Sequence, residues 1–142
     1  MDFGNFSCRI CGGKLIPKLN ELECANCKFI QHPIQDVQIT ISPENLKKKL
    51  DNKEDILLLD VRDKWEFGMV NLKNSKLIPL RELKDNIKSL DKNKMIVTIC
   101  HHGERSQYAA RYLLQNGFKN VKTLDGGIEA WTTKIDNSLK RY

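Results

Sequence analysis

The sequence lacks any apolar run that could cross a membrane. Residues 56–59 are typical of its longest apolar stretches, whereas a transmembrane helix needs about 20 apolar residues. The first ten residues carry polar side chains and a cysteine in place of the apolar core of a secretory leader. The chain also has no internal repeat and no low-complexity tract. We therefore expect a cytoplasmic protein without a membrane partner.

The composition is that of a soluble globular protein. The 142 residues are 40% hydrophobic and 30% charged, which suffices for one domain with a real core, alone or with a small appendage. The formal net charge is +6. Four cysteines bound to zinc as thiolates would lower it to about +4, since the ion returns two of the four charges. The basic charge is therefore weak support for a nucleic-acid partner, and we do not expect one.

The chain divides into two parts with different patterns. Residues 1–33 hold four of the five cysteines and little periodic apolar structure. His32-Pro33 is a plausible boundary, because a residue before proline tends to be extended. Residues 37–142 instead alternate short apolar runs with amphipathic segments. We therefore predict a small N-terminal module over residues 1–33 and an α/β domain over residues 37–142.

The second part predicts a parallel sheet with helices on both faces. Its strands alternate with helices along the chain, and continuous apolar strands of this kind are buried on both sides. Ligands bind beyond the carboxyl ends of such strands. The predicted strands are residues 37–41, 56–59, 77–79, 95–99 and 121–124, and the predicted helices are residues 44–50, 81–90, 106–115 and 128–134.

The four N-terminal cysteines form the pattern of a metal site. Cys8 and Cys11 are followed, after twelve intervening residues, by Cys24 and Cys27. Each Cys-x-x-Cys turn brings two thiolates to one ion, and two turns complete a tetrahedron that suits zinc. Iron in a site of the same ligands is the alternative. Because four protein ligands leave no position for substrate, we expect a structural Zn2+ that holds the short segment folded.

The fifth cysteine lies in a loop suited to thiol chemistry. Cys100 follows a predicted buried strand, and the loop continues through His101, His102, Gly103, Glu104 and Arg105 to Ser106 at a predicted helix start. Helix N-termini present unpaired N–H groups and a positive dipole end, which stabilise a thiolate or a bound anion. Gly103 allows the loop to curl so that its N–H groups point inward. Cys100 is therefore a candidate nucleophile.

With these motifs the sequence resembles the rhodanese family, over about three-quarters of the chain. The resemblance rests on Asp60-Val61-Arg62, Trp65-Glu66-Phe67, the segment 77–80, the Cys100–Ser106 loop and the segment 125–131. It implies a sulfurtransferase in which Cys100 takes sulfane sulfur from a donor such as thiosulfate or a protein persulfide and passes it to a nucleophile. The implied fold is a three-layer rhodanese-like domain, here preceded by a zinc ribbon.

The remaining residues near the loop carry further expectations. Asp60 and Arg62 follow a predicted buried strand and are expected to support the site as an ion pair or hydrogen-bond network. His101 and His102 are expected to tune charge near neutral pH or only to lend backbone N–H groups. Glu104 is unfavourable for an anionic substrate. Segment 71–75 departs from the family, where a turn glycine is replaced by Asn74, which tolerates left-handed backbone.

Three functions remain open from the sequence. The sulfurtransferase is favoured, with an acceptor such as a ubiquitin-like sulfur carrier or a tRNA-modification protein implied by the resemblance. A non-catalytic zinc-ribbon and rhodanese adaptor is the alternative from another class. A cysteine-dependent phosphatase is less favoured, because the related phosphatases have five residues between cysteine and arginine, and this loop has four. The donor, the acceptor and the oligomeric state do not follow from the sequence.

Overall fold

The computed structural model describes residues 7–18, 21–31 and 39–142. The proposed boundary at His32-Pro33 and the first part of the strand predicted over residues 37–41 lie outside these ranges. Within the described residues no helix combines the length and apolar character that crossing a membrane requires. The chain forms a three-stranded antiparallel sheet followed by a five-stranded parallel sheet.

The antiparallel sheet belongs to the cysteine-rich segment. Its strands are β1 (Leu15–Lys18), β2 (Glu21–Cys24) and β3 (Ile30–Gln31), with β2 in the centre. Both Cys-x-x-Cys turns lie at the ends of these strands. The residue after each turn, Gly12 or Lys28, has positive φ, so the two turns share one backbone geometry. We call residues 7–31 the ribbon.

The parallel sheet has the order β4-β8-β7-β5-β6, and every pairing in it is parallel. This arrangement confirms the predicted fold class. The central strand β7 follows the prediction residue for residue. The strands are β4 (Thr40–Ile41), β5 (Ile56–Asp60), β6 (Lys76–Leu77), β7 (Met95–Ile99) and β8 (Val121–Leu124).

The helices are α1 (Pro43–Asp51), α2 (Lys64–Met69), α3 (Leu83–Asn86), α4 (Glu104–Gln115) and α5 (Gly127–Lys134). Ser42 caps α1, because its hydroxyl accepts the Asn45 N–H at 3.1 Å. The single helix predicted over residues 81–90 is wrong. There the chain makes one 3-10 turn before the single-turn helix α3, at Leu80–Glu82, and another after it, at Ile87–Ser89. Helix α2 was not predicted as a helix.

Two apolar clusters cover the opposite faces of the parallel sheet. Neighbouring residues of each strand point to different faces, as Leu58 and Leu59 of β5 do. One cluster joins the sheet to α1 and α5, and the other joins it to α3 and α4. The helices and the sheet therefore form the three layers expected of this fold.

The ribbon packs on the outside of α4. Its Phe29 is buried and meets the ring of Tyr112 edge-on, with ring centroids 5.9 Å apart. The side chain of Gln115 extends β3, since it donates to the carbonyl of Ile30 and accepts the Ile30 N–H, both at 2.9 Å. Ribbon and α4 thus share one apolar cluster, and the ribbon reaches the helix that begins at the Cys100 loop.

Two glycines offer a matched test of the contact between the start of α5 and the loop at Cys100. Gly127 has φ +64, and a Cβ there would overlap the His101 carbonyl oxygen. Gly68 lies within α2, and its Cβ would meet nothing within 4 Å. We expect Gly127→Ala to lower the free energy of unfolding by about 2 kcal/mol or more, and Gly68→Ala to raise it by up to about 1 kcal/mol. Denaturant unfolding measures both, and equal effects would contradict the described contact.

Candidate active site and metal centre

The Cys100 loop lies at the carboxyl end of β7. This strand is flanked by β5 and β8 in the sheet, and α4 starts four residues after Cys100, at Glu104. The cysteine side chain is buried with 1% of its surface exposed. Sulfur at this position is recessed beneath the loop, so a reacting partner must enter the loop to reach it.

Backbone hydrogen bonds hold the outer side of the loop. The N–H of Ile128 donates to the Cys100 carbonyl at 2.8 Å, and the N–H of Glu129 donates to the His101 carbonyl at 3.1 Å. Both donors belong to the first turn of α5, whose N–H groups have no partner within the helix. Gly127 lets the start of α5 approach the loop closely, because a side chain there would overlap the carbonyl oxygens of Cys100 and His101. The position of the loop therefore depends on the start of α5.

The inner side of the loop presents hydrogen-bonding groups to the sulfur. The Gly103 N–H donates to the Cys100 Sγ at 3.0 Å, and the thiol lies 3.4 Å from the Ser106 hydroxyl. Thr123 of β8 donates to the Ser106 oxygen at 2.6 Å and so fixes it. Gly103 has φ +108, a conformation that turns its N–H inward and that glycine adopts without strain. The sulfur thus faces the N-terminus of α4, which favours negative charge.

Arg105 is held at the site by a buried carboxylate. Its two terminal nitrogens donate to both carboxylate oxygens of Glu66 at 3.1 and 3.0 Å. Partial burial lowers the pKa of Arg105, but the Glu66 hydrogen bonds outweigh it and raise that pKa above its ordinary value. Such a bidentate pair fixes the orientation of the guanidinium. Helix α2 supplies Glu66 and thereby positions the loop's cation.

Asp60 and Arg62 form a buried ion pair that reaches the site indirectly. The carboxylate of Asp60 accepts from Arg62 Nη2 at 2.7 Å. Arg62 Nη1 donates to the Tyr142 hydroxyl at 2.8 Å, and that hydroxyl donates to Glu66 at 3.3 Å. Burial lowers the pKa of Arg62, but the hydrogen bonds and charges of Asp60 and Tyr142 outweigh burial and raise that pKa above its ordinary value. Arg62 Nη1 also donates to the backbone carbonyl of Glu66 at 3.4 Å, so the ion pair connects to Arg105 through Glu66, both directly and by way of Tyr142.

Aromatic rings stack beside the loop. The His101 ring stacks on Tyr142 and on His102, in each case with centroids 4.0 Å apart. Burial, and then the neighbouring His102, lower the pKa of His101, so its imidazole is neutral near pH 7. Trp65, 60% exposed, makes a T-shaped contact with Tyr142, with ring centroids 5.8 Å apart. These rings form one side of the approach to the loop.

The four ribbon cysteines lie together. Their Sγ atoms all fall within 4.8 Å of one another, and they can hold a metal ion. Backbone N–H groups of Ile10 and Gly13 donate to two of these sulfurs at 3.4 Å each. Burial raises the pKa of Cys11, but the Asn26 amide and the Gly13 N–H lower it to about 6. Burial instead raises the pKa of Cys8 and of Cys27. The ribbon therefore supplies four soft sulfur ligands in the arrangement of a four-coordinate site.

The structure brings the sequence-predicted residues into two groups. The first group is the loop from Cys100 to Ser106 together with the buried Asp60–Arg62 pair, which connects to the loop through Glu66. The ribbon cysteines make the second group. The sequence analysis gave Glu66 no role, although the motif Trp65-Glu66-Phe67 contains it. Glu66 lies in the first turn of α2, three residues after the N-cap residue Asp63. Tyr142 was missed as well, since no local pattern connects it to a loop about forty residues earlier.

Comparisons with known proteins agree with this geometry. The profile of the Rhodanese-like domain matches residues 42–134. The thiosulfate sulfurtransferase GlpE of Pseudomonas aeruginosa is 35% identical over 91 residues, which are 64% of this chain and 81% of GlpE. YrkF of Bacillus subtilis, whose name describes a sulfur carrier protein, is 38% identical over 96 residues, which are 68% of this chain but only 52% of YrkF.

A solved structure extends the likeness to the fold. A rhodanese-like domain protein from Staphylococcus aureus matches with a TM-score of 0.64 at 33% identity, and the match covers 72% of this chain and 97% of that one. The profile match spans well over half of the 142 residues and includes the whole Cys100 loop. The chain therefore belongs to the rhodanese-like domain family.

Proposed function

We propose that the protein is a sulfurtransferase that carries sulfane sulfur as a persulfide on Cys100. The observation that supports it most is the environment of the Cys100 sulfur. That atom accepts the Gly103 N–H at 3.0 Å at the start of a twelve-residue helix, so negative charge on it is stabilised by the loop and the helix dipole. The names of GlpE and YrkF support sulfur transfer as the activity.

The proposed reaction has two nucleophilic steps. The Cys100 thiolate attacks the outer sulfur of thiosulfate, an S–S bond to Cys100 forms, and the S–S bond of the donor breaks to release sulfite. An acceptor nucleophile then attacks the terminal sulfur of the persulfide, and the bond to Cys100 breaks to regenerate the thiolate. The two steps need no oxidant or reductant. A protein persulfide as donor would instead leave as a thiolate.

Arg105 binds the anionic part of the donor in this mechanism. Its guanidinium lies at the loop with about a quarter of its surface exposed and is oriented by Glu66. A cation held in place at the loop lowers the cost of bringing the dianionic donor toward a thiolate. Glu66, Tyr142 and the Asp60–Arg62 pair are positioning residues, because they act on the loop through Arg105 and His101.

The sulfur acceptor is an external nucleophile. Cys100 is the only cysteine after residue 27, so no cysteine of the rhodanese-like domain can resolve its persulfide. A ubiquitin-like sulfur carrier is the acceptor that we favour, supported by the resemblance to YrkF. A tRNA-modification protein is the other acceptor class that the resemblance implies. Cyanide serves as a small test nucleophile for the same step.

The metal of the ribbon is proposed to be zinc with a structural role. Four cysteine sulfurs within 4.8 Å complete a closed tetrahedral shell, which suits zinc and leaves no open position for a substrate. When bound, the ion supplies folding free energy to a segment too short to build a core of its own. Cys8, Cys11, Cys24 and Cys27 would hold it, and the ribbon would then present its apolar residues to α4.

Intact-protein mass spectrometry tests the proposed function. Incubation with thiosulfate is expected to add one sulfur atom to the wild type and none to Cys100→Ser, and cyanide is expected to remove the added atom. A folded, metal-loaded protein that takes no sulfur from thiosulfate or from a protein persulfide would contradict the proposal. It would favour the adaptor, and a phosphatase assay would then examine the remaining alternative.

The Arg105–Glu66 pair allows stability and function to be separated. Arg105→Ala leaves the buried Glu66 carboxylate without its main partner and is expected to cost about 2 kcal/mol of unfolding free energy. Adding Glu66→Gln removes that charge and is expected to restore most of the stability, while sulfur loading from thiosulfate stays at least about tenfold slower. Denaturant unfolding and loading rates measure the two effects. Full recovery of loading in the double variant would remove Arg105 from donor binding.

Metal analysis tests the ribbon. Elemental analysis is expected to find one zinc per chain, and a colourless sample would exclude iron bound to thiolates. Cys8→Ser is expected to lose the ion and to increase hydrogen exchange in the ribbon and on the face of α4 that holds Tyr112. Unchanged exchange in α4 after metal loss would show that the ribbon docks without its ion.

A further inference from the structure

The ribbon places one charged side chain at the Cys100 loop. Arg9 lies between Cys8 and Cys11 in the first cysteine turn. Its backbone N–H donates at 3.0 Å to the side-chain oxygen of Gln31, a buried residue of β3. The backbone of Arg9 is thus fixed within the ribbon, and its side chain extends to α4.

Arg9 contacts the first turns of α4. Its Nη2 lies 3.4 Å from the Glu104 carboxylate, and its guanidinium carbon lies 5.1 Å from the centroid of the Tyr108 ring. Glu104 and Tyr108 are one turn apart on the same face of the helix. The planar guanidinium can therefore satisfy an ion pair and a ring contact together.

Glu104 is the residue of the loop with the wrong charge for an anionic donor. It directly follows Gly103, whose N–H bonds the Cys100 sulfur, and directly precedes Arg105. Its side chain is 64% exposed, so its carboxylate stands at the rim of the loop. The cation of Arg105 is already paired with Glu66. Among the ion pairs of the described residues, Arg9 is the partner of Glu104.

We propose that Arg9 is a specificity-determining residue, which offsets the charge of Glu104 at the rim and so admits anionic sulfur donors to Cys100. The ribbon then takes part in donor selection as well as in folding. This inference deepens the proposed sulfur transfer and rests on it for its biological meaning. In physical terms, Arg9 makes the net charge at the rim of the loop, which is the entrance to Cys100, less negative.

The contacts between the ribbon and α4 explain how the ribbon keeps Arg9 next to Glu104. Phe29 against Tyr112 and the paired hydrogen bonds of Gln115 with Ile30 fix the ribbon along α4. Glu104 and Tyr108 lie on the preceding turns of the same helix. An undocked ribbon would leave Glu104 without this cation, so donor preference would change with docking.

Alkylation of Cys100 in the full-length, metal-loaded protein measures the charge directly. Iodoacetate is anionic and iodoacetamide is neutral, and the two reagents are close in size. The ratio of their rates at Cys100, read from the Cys100 peptide by mass spectrometry, reports the charge at the rim of the loop and cancels general changes in access. The variants are Arg9→Ala, Arg9→Lys, Arg9→Ala with Glu104→Gln, and Lys14→Ala, which removes an exposed cation elsewhere on the ribbon.

The expected results separate charge from structure. Arg9→Ala should lower the iodoacetate-to-iodoacetamide ratio about two- to fivefold at low ionic strength, and the difference should shrink in high salt. Arg9→Lys and the double variant should lie near wild type, and Lys14→Ala should equal it. An unchanged ratio in Arg9→Ala would overturn the proposal. A double variant as low as Arg9→Ala would also overturn it, because loss of ribbon packing would then be the cause.

Sulfur loading provides the second readout. The KM for thiosulfate is expected to rise about two- to fivefold in Arg9→Ala. The reaction of Cys100 with a neutral organic trisulfide, which forms a mixed trisulfide on Cys100 and releases one thiolate, should stay unchanged. If wild type accepts sulfur neither from these two donors nor from a protein persulfide while the alkylation ratio still shifts, the proposed function fails and only the charge effect stands. If wild type loads sulfur but neither the ratio nor the KM shifts, the role of Arg9 fails and the proposed function stands.

Discussion

The start of α5 holds the Cys100 loop, and the geometry of the site depends on that contact. Two backbone N–H groups of the helix bind the carbonyls of Cys100 and His101, and within the loop held in this way the Gly103 N–H donates to the Cys100 sulfur. Gly127 makes the contact sterically feasible. Because these partners are backbone groups, the cradle is built into the fold and does not require a side chain that could reorient.

Around this fixed loop, side chains from distant segments set its charge. Glu66 of α2 orients Arg105, Tyr142 links that pair to the buried Asp60–Arg62 pair, and the ribbon brings Arg9 to Glu104. The site therefore combines contributions from both modules and from the end of the described chain. Net charge at the loop reflects paired groups, so counting its ionisable residues one by one would misjudge the charge that an approaching donor meets.

The sequence predicts the parts whose signals are local. Strand β7 and the turn residue Asn74, which has φ +65 as its replacement of glycine suggested, follow from short patterns. Helix α2 is only six residues long and gives no periodic signal. The division of the predicted helix 81–90 into shorter turns reflects tertiary packing that no local sequence pattern encodes. Contacts such as Tyr142 with Glu66 or Arg9 with Glu104 join residues far apart in the chain, so they require the folded structure.

The central claim is that the preformed loop receives the transferred sulfur. A crystal structure of the thiosulfate-treated, metal-loaded protein tests it most directly. We expect one extra sulfur atom on Cys100, within hydrogen-bonding distance of loop N–H groups that include that of Gly103, with the contacts of the loop to α5 unchanged. Extra sulfur on a ribbon cysteine, or a loop that must leave α5 to accommodate the persulfide, would contradict transfer through a preformed loop.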